Sequence, residues 1–74
     1  MSNEAGFLIS FRGYDVTAVD ALVRQAVAAL AGTDLAQRAA ARDAVLHTRL
    51  HTTLRGYDRA QVEAHLNRLA KALS

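Results

Sequence analysis

The 74-residue chain contains no cysteine, no proline and no tryptophan, and each absence narrows what it can be. Without cysteine there is no disulfide framework, no thiol nucleophile and no Cys-ligated zinc site. Without proline no helix is interrupted, and abundant alanine favours helix. No apolar run approaches the roughly 18 residues of a membrane span. No basic start is followed by an apolar run, so we expect no signal peptide and a cytoplasmic protein.

Charge of either sign is modest. Nine Lys and Arg stand against seven Asp and Glu, which gives a net charge of +2. That bias is compatible with anionic lipid or nucleic acid and requires neither. All but one of the basic residues are arginine, which suits bidentate contacts to carboxylate or phosphate. A chain of this length forms one small domain with a marginal core, and such domains often gain stability by association.

A repeat dominates the sequence. Arg-Gly-Tyr-Asp occurs at 12–15 and again at 55–58, an offset of 56 − 13 = 43 residues. The match continues into the following helix, where Val19 corresponds to Val62 and Asp20 to Glu63. The chain is therefore one element used twice. We expect a single domain with copies at 7–30 and 50–73, joined by a central helix at 34–49.

Each motif is a junction between a loop and a helix. Its glycine allows a tight turn or close backbone approach, its tyrosine packs over the helix start, and its aspartate caps the helix. Gln61 lies three residues after Asp58, as in a capping box, whereas Ala18 holds that position in the first copy. The predicted turn and cap residues are Gly13, Tyr14, Asp15, Gly56, Tyr57 and Asp58.

Apolar periodicity predicts helices near 15–30, 34–49 and 58–73, with Gly32 ending the first. The first and third helices carry narrow seams spaced like those of a coiled coil. The sequence thus predicts an all-α fold, a three-helix small domain of loop–helix, helix and loop–helix. The seams should pack together within one chain or between two, and we expect a homodimer. The seam residues are Val16, Val19, Val23, Ala26, Leu30, Val62, Leu66, Leu69 and Leu73.

An apolar residue precedes each motif arginine, giving the pairs Phe11-Arg12 and Leu54-Arg55. If both side chains point outward, the apolar group can enter the acyl boundary of a membrane while the guanidinium stays with lipid phosphate. The alternative is a hydrophobic staple, in which Phe11 packs onto the first helical turns. Physical reasoning alone favours the staple, because apolar side chains are usually buried.

The segment from Phe7 through Phe11-Arg12-Gly13-Tyr14-Asp15 to Leu22 resembles the signature of the DivIVA domain, a lipid-binding module of bacterial division-site and cell-pole proteins. The second copy fits with Leu50 and Leu54 replacing both aromatic residues. The resemblance covers about two thirds of the chain. The paired motifs in a short chain are similar to those of the actinobacterial members of the family. Unlike scaffold-forming members, this chain offers only about two heptads per helix.

The resemblance implies a non-enzymatic peripheral adaptor on the inner face of the cell membrane, at the septum or pole, in cell division or polar growth. It implies a parallel coiled-coil dimer with crossed loops whose apolar-Arg pairs contact lipid. Phe11 and Arg12 are the first candidates for that contact, and Leu54 and Arg55 the second. Because leucine is the weaker anchor, we expect the second copy to serve the core. The implied partners are a second copy of the chain, a larger DivIVA-family protein and an anionic membrane surface.

Other residue patterns suggest no catalytic site, metal site, cofactor or small-molecule substrate. His47 and His51 have the i, i+4 spacing of metal ligands, but no acidic third ligand is adjacent. Arg38, Arg42 and Arg49 are best explained as a solvated helix face with local ion pairs. Asp20 and Glu63 hold equivalent positions, yet nothing organises them into an acid–base pair.

Two further functions stay open. A small helical DNA-binding protein would use the arginines and a helix-turn-helix around Gly32, although the turn lacks a distinctive pattern and we expect no nucleic-acid partner. A purely structural dimerisation module would bind neither lipid nor DNA, and its Phe11 would be buried.

Overall fold

The computed structural model describes residues 6–74, which form three helices and two short strands. Their order is β1 (Ile9–Tyr14), α1 (Val16–Ala31), α2 (Leu35–His47), β2 (Thr52–Tyr57) and α3 (Arg59–Leu73). Each strand leads directly into a helix, so β1–α1 and β2–α3 are the two copies of the repeat. The three predicted helices are present, with bounds that differ from the prediction by two residues at most.

The predicted all-α class is wrong, because the two motif segments are strands that pair with each other. Ile9 lies opposite Tyr57 and Tyr14 opposite Thr52, so the partners follow in reverse order and the pairing is antiparallel. The register is irregular, and Tyr14 also lies beside Tyr57 where the strands bend past one another. This pairing joins residues that are far apart in the chain, from 52 − 14 = 38 to 57 − 9 = 48 positions, so local sequence periodicity carries no sign of it.

An aspartate is the N-cap of each of the three helices. The carboxylates of Asp15 and Asp58 accept hydrogen bonds at 3.0 Å from the amides three residues later, and Asp34 caps α2 in the same manner. Gly32 is the C-cap of α1, as its position in the sequence predicts. α2 ends at His47, two residues before its predicted end, where β-branched Thr48 takes an extended conformation.

The core lies between the three helices and under the strand pair. Val19, Tyr57 and Val62 are its largest fully buried side chains, and Ala41 and Val45 of α2 close it from the third side. Every residue of the predicted seams lies in this core or packs against it at its edge. The seams therefore meet within one chain, and α2 covers them.

Arg38 and Arg42 were predicted, with Arg49, to lie on a solvated helix face with local ion pairs, but in the structure their side chains reach the end of α3. Arg38 Nη2 donates to the Ala72 carbonyl at 3.0 Å, and Arg42 Nε donates to Ser74 Oγ at 3.2 Å. Carbonyls at a helix C-terminus have no helical partner and favour a nearby cation. These arginines thus fix α2 against α3, a contact between helices that we did not predict.

Candidate functional site

The two motif glycines touch where the strands cross. A Cβ built on Gly56 would lie 2.7 Å from the Gly13 carbonyl oxygen, and a Cβ on Gly13 would meet the Gly56 and Tyr57 carbonyls just as closely. Only a residue without a side chain allows the two backbones to approach this far. The sequence predicted that each motif glycine allows either a tight turn or a close backbone approach. The close approach is the reason that glycine is required at both positions.

The crossing has an internal pseudo-two-fold symmetry. The Asp15 amide donates to the His51 carbonyl at 2.9 Å, and the Asp58 amide donates to the Leu8 carbonyl at 2.8 Å. Adding the repeat offset of 43 to Asp15 gives Asp58, and adding it to Leu8 gives His51. Equivalent residues therefore make equivalent contacts, as they would across the two-fold axis of a homodimer. One chain supplies both halves.

The tyrosines exchange hydrogen bonds across this pseudo-symmetry. Tyr57 donates its hydroxyl hydrogen to Asp20 Oδ1 at 2.8 Å, and Tyr14 donates to Glu63 Oε2 at 2.9 Å. Each motif is thus tied to the helix that follows the other motif. Asp20 and Glu63, which looked like an unorganised carboxylate pair in the sequence, are hydrogen-bond acceptors that hold the two copies together.

The two tyrosines differ in environment. Tyr57 is fully buried, whereas Tyr14 is half-buried. The hydrogen bond to Glu63, with smaller contributions from burial and the negative charge of Glu63, raises the pKa of Tyr14 above its ordinary value of 10.0. Tyr14 therefore remains a neutral donor throughout the physiological range.

Beyond the crossing, the strands present apolar and cationic side chains to solvent. Phe11 is 71% exposed and Leu54 is 67% exposed, and both neighbouring arginines are exposed as well. Phe11 and Leu54 line one shallow depression together with Ile9, Ser10 and Arg55. We call the group Phe11, Arg12, Leu54 and Arg55 the tip. The structure brings all four predicted contact residues to the same end of the molecule.

Two interpretations of the motif are wrong in this structure. Phe11 does not staple the helix start. Of the two phenylalanines it is Phe7 that is buried, with its ring centroid 5.1 Å from that of Tyr57 and 5.3 Å from that of His65. Leu54 does not serve the core, although the sequence favoured that role. Tyr57 and Val62 fill the core beneath the strands, and the Leu54 side chain projects outward into solvent.

Arg12 has an unusual backbone. Its φ is +59°, a left-handed conformation that is costly for any residue with a side chain, while Arg55 does not share it. The Arg12 guanidinium lies over the Phe11 ring, 5.7 Å from its centroid, within range of a cation–π contact. The first copy therefore carries a pre-formed aromatic–cation pair, which the second copy lacks.

Two exposed residues at this end of the molecule were missed from the sequence. Leu8 is 65% exposed and Ile9 is 40% exposed, although both are aliphatic and directly follow the buried Phe7. Nothing local distinguishes them from the buried Phe7, because their orientation follows from pairing with β2. The segments 6–14 and 50–57, which form this end, contain two arginines and no acidic residue.

His47 and His51, which have the i, i+4 spacing of metal ligands, do not lie on the same helix. His47 ends α2 and its Nδ1 lies 3.0 Å from Asp43 Oδ1, while His51 lies just before β2. Within residues 6–74 no cluster of three metal-binding side chains occurs, and none of the helices there is both long and apolar enough to cross a bilayer.

Comparison of the chain with protein-family models, with curated proteins and with solved structures finds no match in any of the three. The resemblance to the DivIVA domain therefore depends on the motif residues alone.

Proposed function

We propose that this chain is a non-enzymatic, DivIVA-like adaptor that binds the anionic inner face of a bacterial membrane through its tip. The observation that carries the proposal is the exposure of Phe11, 71%, beside an exposed arginine at the outer end of the strand crossing. A side chain of this size is usually buried, and an exposed apolar group flanked by cations fits the boundary between lipid headgroups and acyl chains.

The expected affinity is low. Complete burial of a Phe or Leu side chain is worth about 1.5–3 kcal/mol, and the two at the tip are about two thirds exposed, so each contributes about 1–2 kcal/mol. Each arginine near an anionic surface adds about 1 kcal/mol. The sum of about 4–6 kcal/mol corresponds to an apparent Kd between about 1 mM and about 0.05 mM accessible lipid. Such binding is reversible and depends on anionic lipid.

Vesicle co-sedimentation tests the proposal. Phosphatidylglycerol-containing vesicles should retain the wild-type chain, and pure phosphatidylcholine vesicles should retain much less. The Phe11→Ser/Arg12→Ser variant should lose binding while its circular dichroism spectrum stays unchanged. The matched control is Leu35→Ser/Arg68→Ser, which removes an exposed apolar residue and an exposed arginine away from the tip and should bind as the wild type does. A folded double variant that binds as well as the wild type rules out the tip as the anchor.

The same sample also tests the DNA-binding alternative. A salt-dependent mobility shift on duplex DNA, with no retention by anionic vesicles, would favour that function over membrane contact. The tip carries only two arginines, and the net charge is +2, so we expect no such shift.

The adaptor role also needs a protein partner, either a second copy or a larger protein with the same motif. Both seams are covered within the chain, so a partner would have to bind a surface other than the predicted seams. Sedimentation velocity over a concentration series tests self-association directly; a single monomer species at all concentrations removes the homodimer from the proposal.

A further inference from the structure

The end of the molecule that carries the tip has two unequal flanks. Beside the start of α3 lie Leu8 and Ile9, with exposed Arg59 in the first turn of the helix. The equivalent positions beside the start of α1, reached through the offset of 43, are occupied by His51, Thr52 and Val16. We call these groups the Leu8 flank and the His51 flank. The first is aliphatic and basic, while the second is largely polar.

The exposure of Leu8 is fixed by its backbone and does not result from a frayed end. The Leu8 amide donates to Gln61 Oε1 at 2.9 Å, and its carbonyl accepts from the Asp58 amide at 2.8 Å. Gln61 was expected to complete a capping box with Asp58, and it binds the Leu8 peptide instead. With both peptide groups held, the Leu8 side chain remains 65% exposed. An aliphatic side chain held in water this way has no role in the core of the monomer.

Ile9 connects this flank to the tip. It pairs with Tyr57 in the sheet, is 40% exposed, and lines the same depression as Phe11 and Leu54. The apolar surface therefore extends from the tip along the Leu8 flank alone. On the other side it stops at Thr52 and His51, which are exposed and polar.

From this asymmetry we infer that the protein binds the membrane tilted, with the Leu8 flank inserted and the His51 flank left in water. Leu8 and Ile9 are then lipid contacts in addition to the tip, and Arg59 faces lipid phosphate. The inference rests on the proposed function, since it assigns an orientation to the same membrane contact. The tilt also gives the two copies of the repeat different roles. Both copies contribute residues to the tip, but only the Leu8 flank adds further lipid contacts.

Site-specific labelling tests the orientation, because a chain without cysteine accepts a single label at any chosen position. Thr17 and Ala60 are equivalent positions in the first turns of α1 and α3, both exposed and both outside the tip. An environment-sensitive fluorophore on Ala60→Cys should be quenched by brominated phosphatidylglycerol vesicles at least about twofold more than the same fluorophore on Thr17→Cys. Equal quenching of the two labels on bound protein overturns the tilt and leaves membrane binding intact.

Exchange of the flank residues gives a second test. Leu8→His/Ile9→Thr gives the Leu8 flank the same residues as the His51 flank at both of these positions. It should weaken vesicle binding at least about tenfold, as expected for the loss of two partly exposed aliphatic contacts. The reciprocal His51→Leu/Thr52→Ile variant should strengthen binding and bring the two label positions to similar depth. If the wild-type chain fails to bind anionic vesicles at all, the proposed function and the tilt fail together. If it binds and the Leu8→His/Ile9→Thr variant binds equally well, only the tilt fails.

Discussion

Tyr57 donates its hydroxyl hydrogen to Asp20 across the boundary between the two copies, at 2.8 Å, from a ring that is fully buried. The equivalent bond from Tyr14 to Glu63 has almost the same length and is exposed. The two bonds show that the tyrosine of each Arg-Gly-Tyr-Asp motif binds the helix that follows the other copy. Because only one of the two tyrosines is fully buried, we expect the two bonds to contribute unequally to stability.

Removing the two hydroxyls should therefore have different costs. Tyr57→Phe should lower the free energy of unfolding by about 1–2 kcal/mol, since it removes a partly buried hydrogen bond to a charged acceptor. Tyr14→Phe should lower the free energy of unfolding by less than about 1 kcal/mol, because water can take the place of the Tyr14 hydroxyl at the exposed Glu63 carboxylate. Urea denaturation measures both, and a Tyr57→Phe/Asp20→Ala double-mutant cycle should give a coupling of about 1 kcal/mol. A larger loss for Tyr14→Phe would contradict this assignment.

The glycine crossing makes the strongest stability prediction. Gly13→Ala and Gly56→Ala should each destabilise the protein by about 3 kcal/mol or more, because the new Cβ meets backbone atoms that cannot move aside. Gly32→Ala is the matched control. Its Cβ would meet no atom closer than 3.7 Å, and its φ of −97° suits alanine, so we expect a change within about 0.5 kcal/mol. Similar thermal stability for all three variants would show that the two backbones at the crossing can move apart to admit a Cβ.

The sequence predicted the helices and their caps because those depend on neighbours three and four residues apart. Asp15, Asp34 and Asp58 were recognisable as N-caps, and the seams from Val16 to Leu73 as buried faces. The strands were missed because their pairing places Ile9 opposite Tyr57 and Tyr14 opposite Thr52, pairs with no local signature. The repeat itself was the available signal: two identical glycine-containing segments in one small domain invite the question of whether they pair.

The candidate site was predicted less completely than the helices. Phe11, Arg12, Leu54 and Arg55 could be named from the motif, yet their exposure could not be derived, and the favoured staple and core roles were wrong. Leu8 and Ile9 were indistinguishable from Phe7 by residue type. Which of three adjacent apolar residues is buried depends on the Asp58 and Gln61 contacts to Leu8, which only the folded chain provides.

Because the Arg12 backbone is left-handed, a glycine at this position should weaken membrane binding without lowering the stability of the fold. Arg12→Gly removes a side chain from a conformation that costs about 1–2 kcal/mol, which offsets the added entropy of glycine in the unfolded chain. We therefore expect a free energy of unfolding within about 0.5 kcal/mol of the wild type. Arg55→Gly lacks that relief and should cost about 0.5–1 kcal/mol. Both should weaken binding to anionic vesicles. Equal destabilisation by the two variants would show that Arg12 is not strained.

His65 should make part of the stability depend on pH. Burial, and secondarily the positive charge of Arg68, lowers the pKa of His65 below 6.5. In acid the unfolded chain binds this proton more readily than the folded chain does. The stabilisation is thus present above pH 6.5 and is lost as the pH falls through the lower pKa of the folded protein.

Leucine occupies the equivalent position, Leu22, in the first copy, so His65→Leu is the natural substitution. It should reduce the loss of stability between about pH 7.5 and about pH 5, measured by urea denaturation at each pH. His65→Gln is the control: it also cannot titrate, but it places a polar group against Phe7 and lowers stability at both pH values. If His65→Leu loses as much stability in acid as the wild type, the acid sensitivity originates at other groups.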